Sequence, residues 1–109
     1  MLFRSTIALA DNRAYYIVAR VVGRKPGPTG AQRAFYYRAA CVFREAGGPA
    51  TMEGTPVDLA TRESDTNWDC TLDVSANDVR VRVNGALGAG TVYWVGAIEY
   101  QSVATNAGP

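Results

Sequence analysis

The stretch NWDCTLDVSANDVRVRVNG, residues 67–85, decides the fold class of this chain. Apolar side chains recur in it at every second position, at Trp68, Cys70, Leu72, Val74, Val79, Val81 and Val83. A two-residue period is typical of a strand with one buried and one solvated face. The polar residues between the two runs favour a turn. The stretch therefore predicts an antiparallel hairpin, with Asp69 or Asp73 paired across it with Arg80 or Arg82.

Four further stretches show the same two-residue period, residues 3–9, 13–24, 33–45 and 90–103. Residues 51–59 are weaker, because Gly54 and Pro56 indicate an edge strand or a bulge. No stretch has a convincing helical period. The pattern predicts one all-β domain over residues 1–109, an antiparallel, jelly-roll-like β-sandwich of six to eight strands, with a small barrel as the alternative.

Three of the predicted strands are apolar on both faces, those at 13–24, 33–45 and 90–103. In the strand at 33–45 we assign the odd-numbered residues from Phe35 to Phe43 to the core. A strand that is covered on one side only is usually polar on the other. The second face is therefore either covered within the monomer or in contact with another subunit. The residues that we expect at such a subunit interface are Tyr16, Val18, Tyr36, Val42, Tyr93 and Val95.

The composition is that of a folded protein with almost balanced charge. Hydrophobic residues make up 48% of the 109 residues, and 11 lysines and arginines face 10 acidic residues. Nucleic-acid binders usually carry a clear basic excess, so the charge argues against such a partner. The run Phe35-Tyr36-Tyr37 beside Arg33 and Arg38 nevertheless keeps a base-stacking platform as an alternative. No apolar run approaches the ~20 residues of a membrane helix, and residues 1–10 are interpreted as a strand rather than a signal peptide. We expect a soluble chain that does not insert into membranes.

Catalytic chemistry has little support in the sequence. The chain has no histidine, which removes the usual general base and the commonest metal ligand. Asp69 and Asp73 could supply a carboxylate pair, but their spacing is also that of a solvated strand face. Cys41 and Cys70 both fall on an apolar strand face, either as two buried thiols or as a disulfide, and two thiolates alone rarely hold zinc. We predict no enzyme activity, no metal and no cofactor.

The motif order in the second half of the chain resembles a β-sandwich domain of bacteriophage virion proteins. Trp68 begins one strand, a Val-x-Val-x-Val-x-Gly strand ends at Gly85, and a Gly-rich loop precedes the strand that contains Val92, Trp94 and Val95. The resemblance covers roughly residues 13–103. It implies a non-enzymatic structural protein of the virion, made in the host cytoplasm, in a tail-fibre, receptor-binding or head-attached position.

The resemblance also implies assembly in symmetric copies, with a trimer favoured, and contact with other virion proteins. Because the strand pattern starts close to Met1, we expect a small decoration, spike or tip protein rather than a fibre with a long shaft. Six tyrosines and loops rich in Gly, Asn and Thr support an alternative, a carbohydrate-binding module that recognises glycans of the host surface.

Overall fold

A computed structural model describes residues 2–26, 32–64, 66, 68–84 and 92–104 of the chain. These residues form eight strands and no helix. The strands are β1 (Leu2–Ala8), β2 (Arg13–Lys25), β3 (Gln32–Arg44), β4 (Thr51–Met52), β5 (Val57–Glu63), β6 (Asp69–Ser75), β7 (Asp78–Asn84) and β8 (Tyr93–Ala104). The Gly-rich loop predicted around residues 85–90 lies outside the described residues.

The strands form two antiparallel sheets that pack face to face. The three-stranded sheet has the order β1-β7-β6, and the five-stranded sheet has the order β4-β3-β2-β8, with β5 also paired to β3. Every pairing among these strands is antiparallel. The predicted antiparallel β-sandwich is therefore confirmed.

The hairpin of β6 and β7 follows the sequence pattern closely. Cys70 lies opposite Val83 and Leu72 lies opposite Val81, so the apolar side chains of both strands share one face. This face is buried against the five-stranded sheet. Its hydrophobic burial is the main force that joins the two sheets.

Strand β3 turns the face opposite to the predicted one towards the core. Ala34, Tyr36, Ala40 and Val42 are buried there, and Phe35 is exposed. The assignment of the odd residues to the core was therefore wrong. Both faces of β3 are apolar, so periodicity alone could not choose between them. The register with β2 decides which face of β3 is buried, because residues opposite each other on neighbouring strands point to the same side of the sheet. Tyr36 lies opposite Val21, which is buried in the core.

Arg38 is the one buried charged residue of the described core, and it connects three strands. Its guanidinium donates hydrogen bonds to the Cys70 carbonyl on β6 at 3.2 Å and to the Ala60 carbonyl on β5 at 2.9 Å. The same group forms an ion pair with Asp58 at 2.6 Å. The pairing of β5 with β3 shifts register between Tyr37 and Arg38. This irregularity confirms the edge strand or bulge that the sequence indicated here, although the stretch divides into β4 and β5.

Strand β8 is held against β2 by an aromatic ring above a glycine. Trp94 lies opposite Gly23, and a Cβ atom placed on Gly23 would come within 2.3 Å of its ring. The same ring contacts Trp68 with a centroid distance of 5.6 Å and stacks on Tyr36 at 6.5 Å. The inner side of β8 is thus fixed to the core at Trp94, while most of the strand is exposed on both sides.

Candidate interaction surface

The outer face is the side of the five-stranded sheet that points away from the core. Near one end of it three apolar residues of neighbouring strands form one row, with Phe35 on β3, Val22 on β2 and Val95 on β8. They are 47%, 44% and 73% exposed, respectively. We call these three residues the apolar row. Exposed apolar side chains are common singly, but a contiguous set across three strands indicates a surface that contacts another molecule.

A polar bridge lies beside the apolar row. Arg20 forms an ion pair with Glu99 at 2.6 Å, and its guanidinium lies over the ring of Tyr37, 4.9 Å from the ring centre. The hydrogen bond to Glu99 raises the pKa of Arg20 above its ordinary value. The two charges neutralise each other, so the bridge crosses the outer face without giving it a net charge.

Four of the six predicted interface residues lie on the outer face. Tyr16, Tyr93 and Val95 are exposed there and Val18 is half-buried. The other two, Tyr36 and Val42, are 3% and 2% exposed and belong to the core, so their prediction as outward residues was wrong. The reason is the choice of face by β3, since the outward residues of that strand are the odd-numbered ones.

Phe35 and Val103 also belong to the outer face, although they were not among the predicted interface residues. Phe35 was assigned to the core, and Val103 lies opposite the exposed Ala14 of β2. Only the strand register could have assigned Phe35 to the outer face, and the register cannot be derived from the periodicity of the sequence.

A shallow depression of about 390 Å³ occupies the far end of the outer face. Its lining includes Tyr16 and Gln101, which lie opposite each other on the outer face. An apolar ring beside a few polar groups is the usual composition of a small-molecule site. A second depression of about 260 Å³ lies between Val22, Phe35 and Arg62, next to the apolar row.

The exposed face of the three-stranded sheet is polar instead. Asp73 accepts two hydrogen bonds of 2.8 Å from Arg80 and lies 3.2 Å from Arg82, which confirms the predicted pairing across the hairpin. A depression of about 400 Å³ beside it is lined by Asp69, Thr71, Arg82, Val83 and Asn84. The Asp73 carboxylate is thus engaged by two guanidinium groups.

The two cysteines lie in different environments, and only one is buried. Cys70 belongs to the core, and burial raises the pKa of its thiol to about 11. Cys41 is exposed on the outer face opposite Tyr16, so its prediction as a core thiol was wrong, for the same reason as for Phe35. Both thiols are free, and they do not form the disulfide that the sequence left open.

The base-stacking platform considered from the sequence is not assembled on one surface. Tyr36 and Arg38 are buried, and the Tyr36 hydroxyl donates a 2.6 Å hydrogen bond to Glu63. Only Phe35 and Tyr37 of the aromatic run lie on the outer face. Among the described residues, no three acidic or cysteine side chains come together as a metal-binding group. None of the described segments is a helix able to cross a membrane.

Comparison of the chain with protein-family models, with curated proteins and with solved structures finds no match.

Proposed function

We propose that this chain is a non-enzymatic structural protein of a bacteriophage particle, a small spike, tip, tail-fibre or decoration component. It acts by self-association and by surface recognition through the outer face. The observation that carries the self-association is the apolar row of Val22, Phe35 and Val95, which crosses three strands and is exposed. The virion context rests on the resemblance of the motifs between Trp68 and Val95 to virion β-sandwich domains.

The apolar row favours a protein partner over a small substrate. The Arg20–Glu99 pair beside it is internally neutralised, and Arg62 lies at the β5 end of the row, opposite Phe35. The centres of protein interfaces are depleted in unpaired charge and enriched in aromatic residues. A second copy of the chain offers the same apolar row, and symmetric self-association is the commonest form of assembly.

The test is the molar mass in solution, measured by light scattering on a sizing column over a range of concentrations. We expect the wild-type chain to exceed the 11.7 kDa of one copy. Val95→Glu places an unpaired charge in the apolar row and should shift the protein to the mass of one copy. Thr71→Glu is the matched control, because Thr71 is exposed on the polar sheet and should leave the mass unchanged. A wild-type chain with the mass of one copy at every concentration, or an assembly that Val95→Glu leaves intact, would contradict the proposal.

The second candidate is glycan recognition at the depression beside Tyr16. The ring of Tyr16 could stack on a sugar ring, and the amide of Gln101 opposite it could bind the hydroxyl groups of the sugar. Binding on a glycan array that is lost in Tyr16→Ala, with the fold unchanged by circular dichroism, would support this function. An array without a binder would remove it as an activity of the chain on its own.

A further inference from the structure

Strand β8 is the exposed edge of the five-stranded sheet. Among the described residues it pairs with β2 alone, although it is 12 residues long. Four of its large apolar side chains are more than half exposed, those of Tyr93, Val95, Tyr100 and Val103. In the part of the chain that the structure describes, the strand is thus open along one backbone edge, and apart from Trp94 and Ile98 most of its side chains are exposed on both faces.

The usual protections of an edge strand are missing from β8. Its ladder with β2 runs from Tyr93 to Ala104 without a register shift, and it contains no proline, lysine or arginine. Its one charge, on Glu99, is neutralised by Arg20 at 2.6 Å. Natural proteins commonly protect an exposed edge with bulges, prolines or inward-pointing charges, because an unprotected edge pairs with another strand.

We propose that β8 of one copy pairs antiparallel with β8 of a second copy, around a two-fold axis at Ile98. The pairing joins two five-stranded sheets into one continuous sheet with two apolar rows on its outer face. It adds the backbone edge of β8 as a second surface of self-association beside the apolar row, and it rests on that proposed function.

The length of the strand limits the registers in which β8 can pair with itself. A two-fold axis perpendicular to the sheet keeps each face on its own side, so the axis must pass through one residue. Only axes at Ile98 or Glu99 allow nearly all of β8, from Tyr93 to Ala104, to take part. An axis at Glu99 places the two carboxylates directly opposite each other, which is unfavourable. The axis at Ile98 is therefore the preferred one.

The register with Ile98 on the axis is self-complementary in apolar contacts. On the outer face it places Tyr93 opposite Val103 of the second copy, and aromatic residues pair well with β-branched ones. On the inner face it places Gly96 opposite Tyr100 of the second copy. An aromatic ring that covers the glycine opposite it is the arrangement that Trp94 and Gly23 already make within the chain.

The charges are complementary in the same register. Glu99 lies opposite Ala97 of the second copy, and Ala97 lies opposite Arg20 within its own chain. The two carboxylates and the two guanidinium groups therefore occupy two neighbouring rows of the joined sheet. Each Glu99 keeps its own Arg20 at 2.6 Å and shares a row with Arg20 of the second copy, and the two Glu99 residues are diagonal rather than directly opposite across the new ladder.

Cross-linking by engineered cysteines tests this register directly. Val95 lies opposite Gln101 of the second copy, and opposed residues of an antiparallel pair are ~4.5–5.5 Å apart at Cα, within disulfide range. We would introduce Val95→Cys with Gln101→Cys into a Cys41→Ser background, because Cys41 is exposed on the same face. Positions 95 and 101 are six residues apart on one strand, roughly 20 Å, and cannot join within one chain.

Val95→Cys with Val103→Cys is the matched control, since these positions face each other only with the axis at Glu99. Mild oxidation at micromolar concentration should give a covalent dimer on a non-reducing gel, at least about tenfold more in the 95/101 variant than in the control. A chain that assembles by light scattering without cross-linking at 95/101 would overturn the β8 pairing and leave the proposed function standing. A wild-type chain with the mass of one copy at every concentration would overturn both.

Discussion

Replacing Gly23 by alanine tests how β8 is held to the rest of the sheet. The added Cβ would lie 2.3, 2.5 and 2.8 Å from three atoms of the Trp94 ring, whereas ordinary contact begins at 3.4 Å. The ring must therefore retreat by about 1 Å, which disturbs its contacts with Trp68 and Tyr36. Overpacking of this kind costs about 1–3 kcal/mol, and we expect Gly23→Ala to lower the free energy of unfolding by ~2 kcal/mol.

Urea unfolding followed by tryptophan fluorescence is the assay, because Trp68 and Trp94 both report on this contact. A loss of ~2 kcal/mol corresponds to a melting temperature lower by roughly 8 °C in a domain of this size. The same substitution in a Trp94→Leu background should cost only ~0.5 kcal/mol, because the clashing ring is absent. An equal cost in both backgrounds would show that Gly23 is required for its backbone and not for the space that it leaves to Trp94.

Four further predictions concern the core, a turn and the thiols. Arg38→Met should lower the free energy of unfolding by ~3 kcal/mol in a urea titration, because the carbonyls of Cys70 and Ala60 lose their donor. Asp58→Asn should lower it clearly less. Equal losses in the two variants would contradict the conclusion that the hydrogen bonds to these carbonyls stabilise the fold. Ala76 has a φ of 51°, so Ala76→Gly should raise the unfolding free energy by ~0.5–1 kcal/mol in the same titration, and a loss would refute the strain argument. At pH 8 a thiol reagent should modify Cys41 rapidly and Cys70 only on unfolding. The raised pKa of Cys70 means that the folded state holds the thiol proton more tightly than the unfolded chain does. The contribution of this group to the free energy of unfolding should therefore be complete below about pH 9 and should decline from there towards pH 11. Cys70→Ala should reduce that decline, and an unchanged decline would contradict the prediction.

The β8 pairing and the apolar row lead to one consequence for assembly. A two-fold joint at β8 places two outer faces side by side in one sheet, so further contacts through the apolar rows could build larger particles from dimers. A mass of two copies, about 23 kDa from 11.7 kDa each, is the smallest assembly consistent with the joint. The trimer favoured by the sequence resemblance would require a head-to-tail contact instead, and the mass measurement separates the two.

The sequence by itself determined the elements that are apolar on one side only. In β6 and β7 the alternation admits a single buried face, so the hairpin, its inward residues and its Asp73–Arg80 pair were all predictable. The fold class followed from the repetition of such strands. The four interface residues on β2 and β8 were predictable in the same way, as the second apolar face of a strand whose first face is buried.

Only the tertiary structure decided the orientation of β3. Its two faces are almost equally apolar, so the buried one is selected by the pairing with β2 and not by its own pattern. This single choice moved Tyr36 and Val42 into the core, and Phe35 and Cys41 onto the outer face. The exposed edge of β8 was equally hidden from the sequence, because strand order depends on contacts between residues far apart in the chain. The local apolar pattern indicates which face of a strand is buried, whereas the strand that pairs with each of its edges is determined by the tertiary fold.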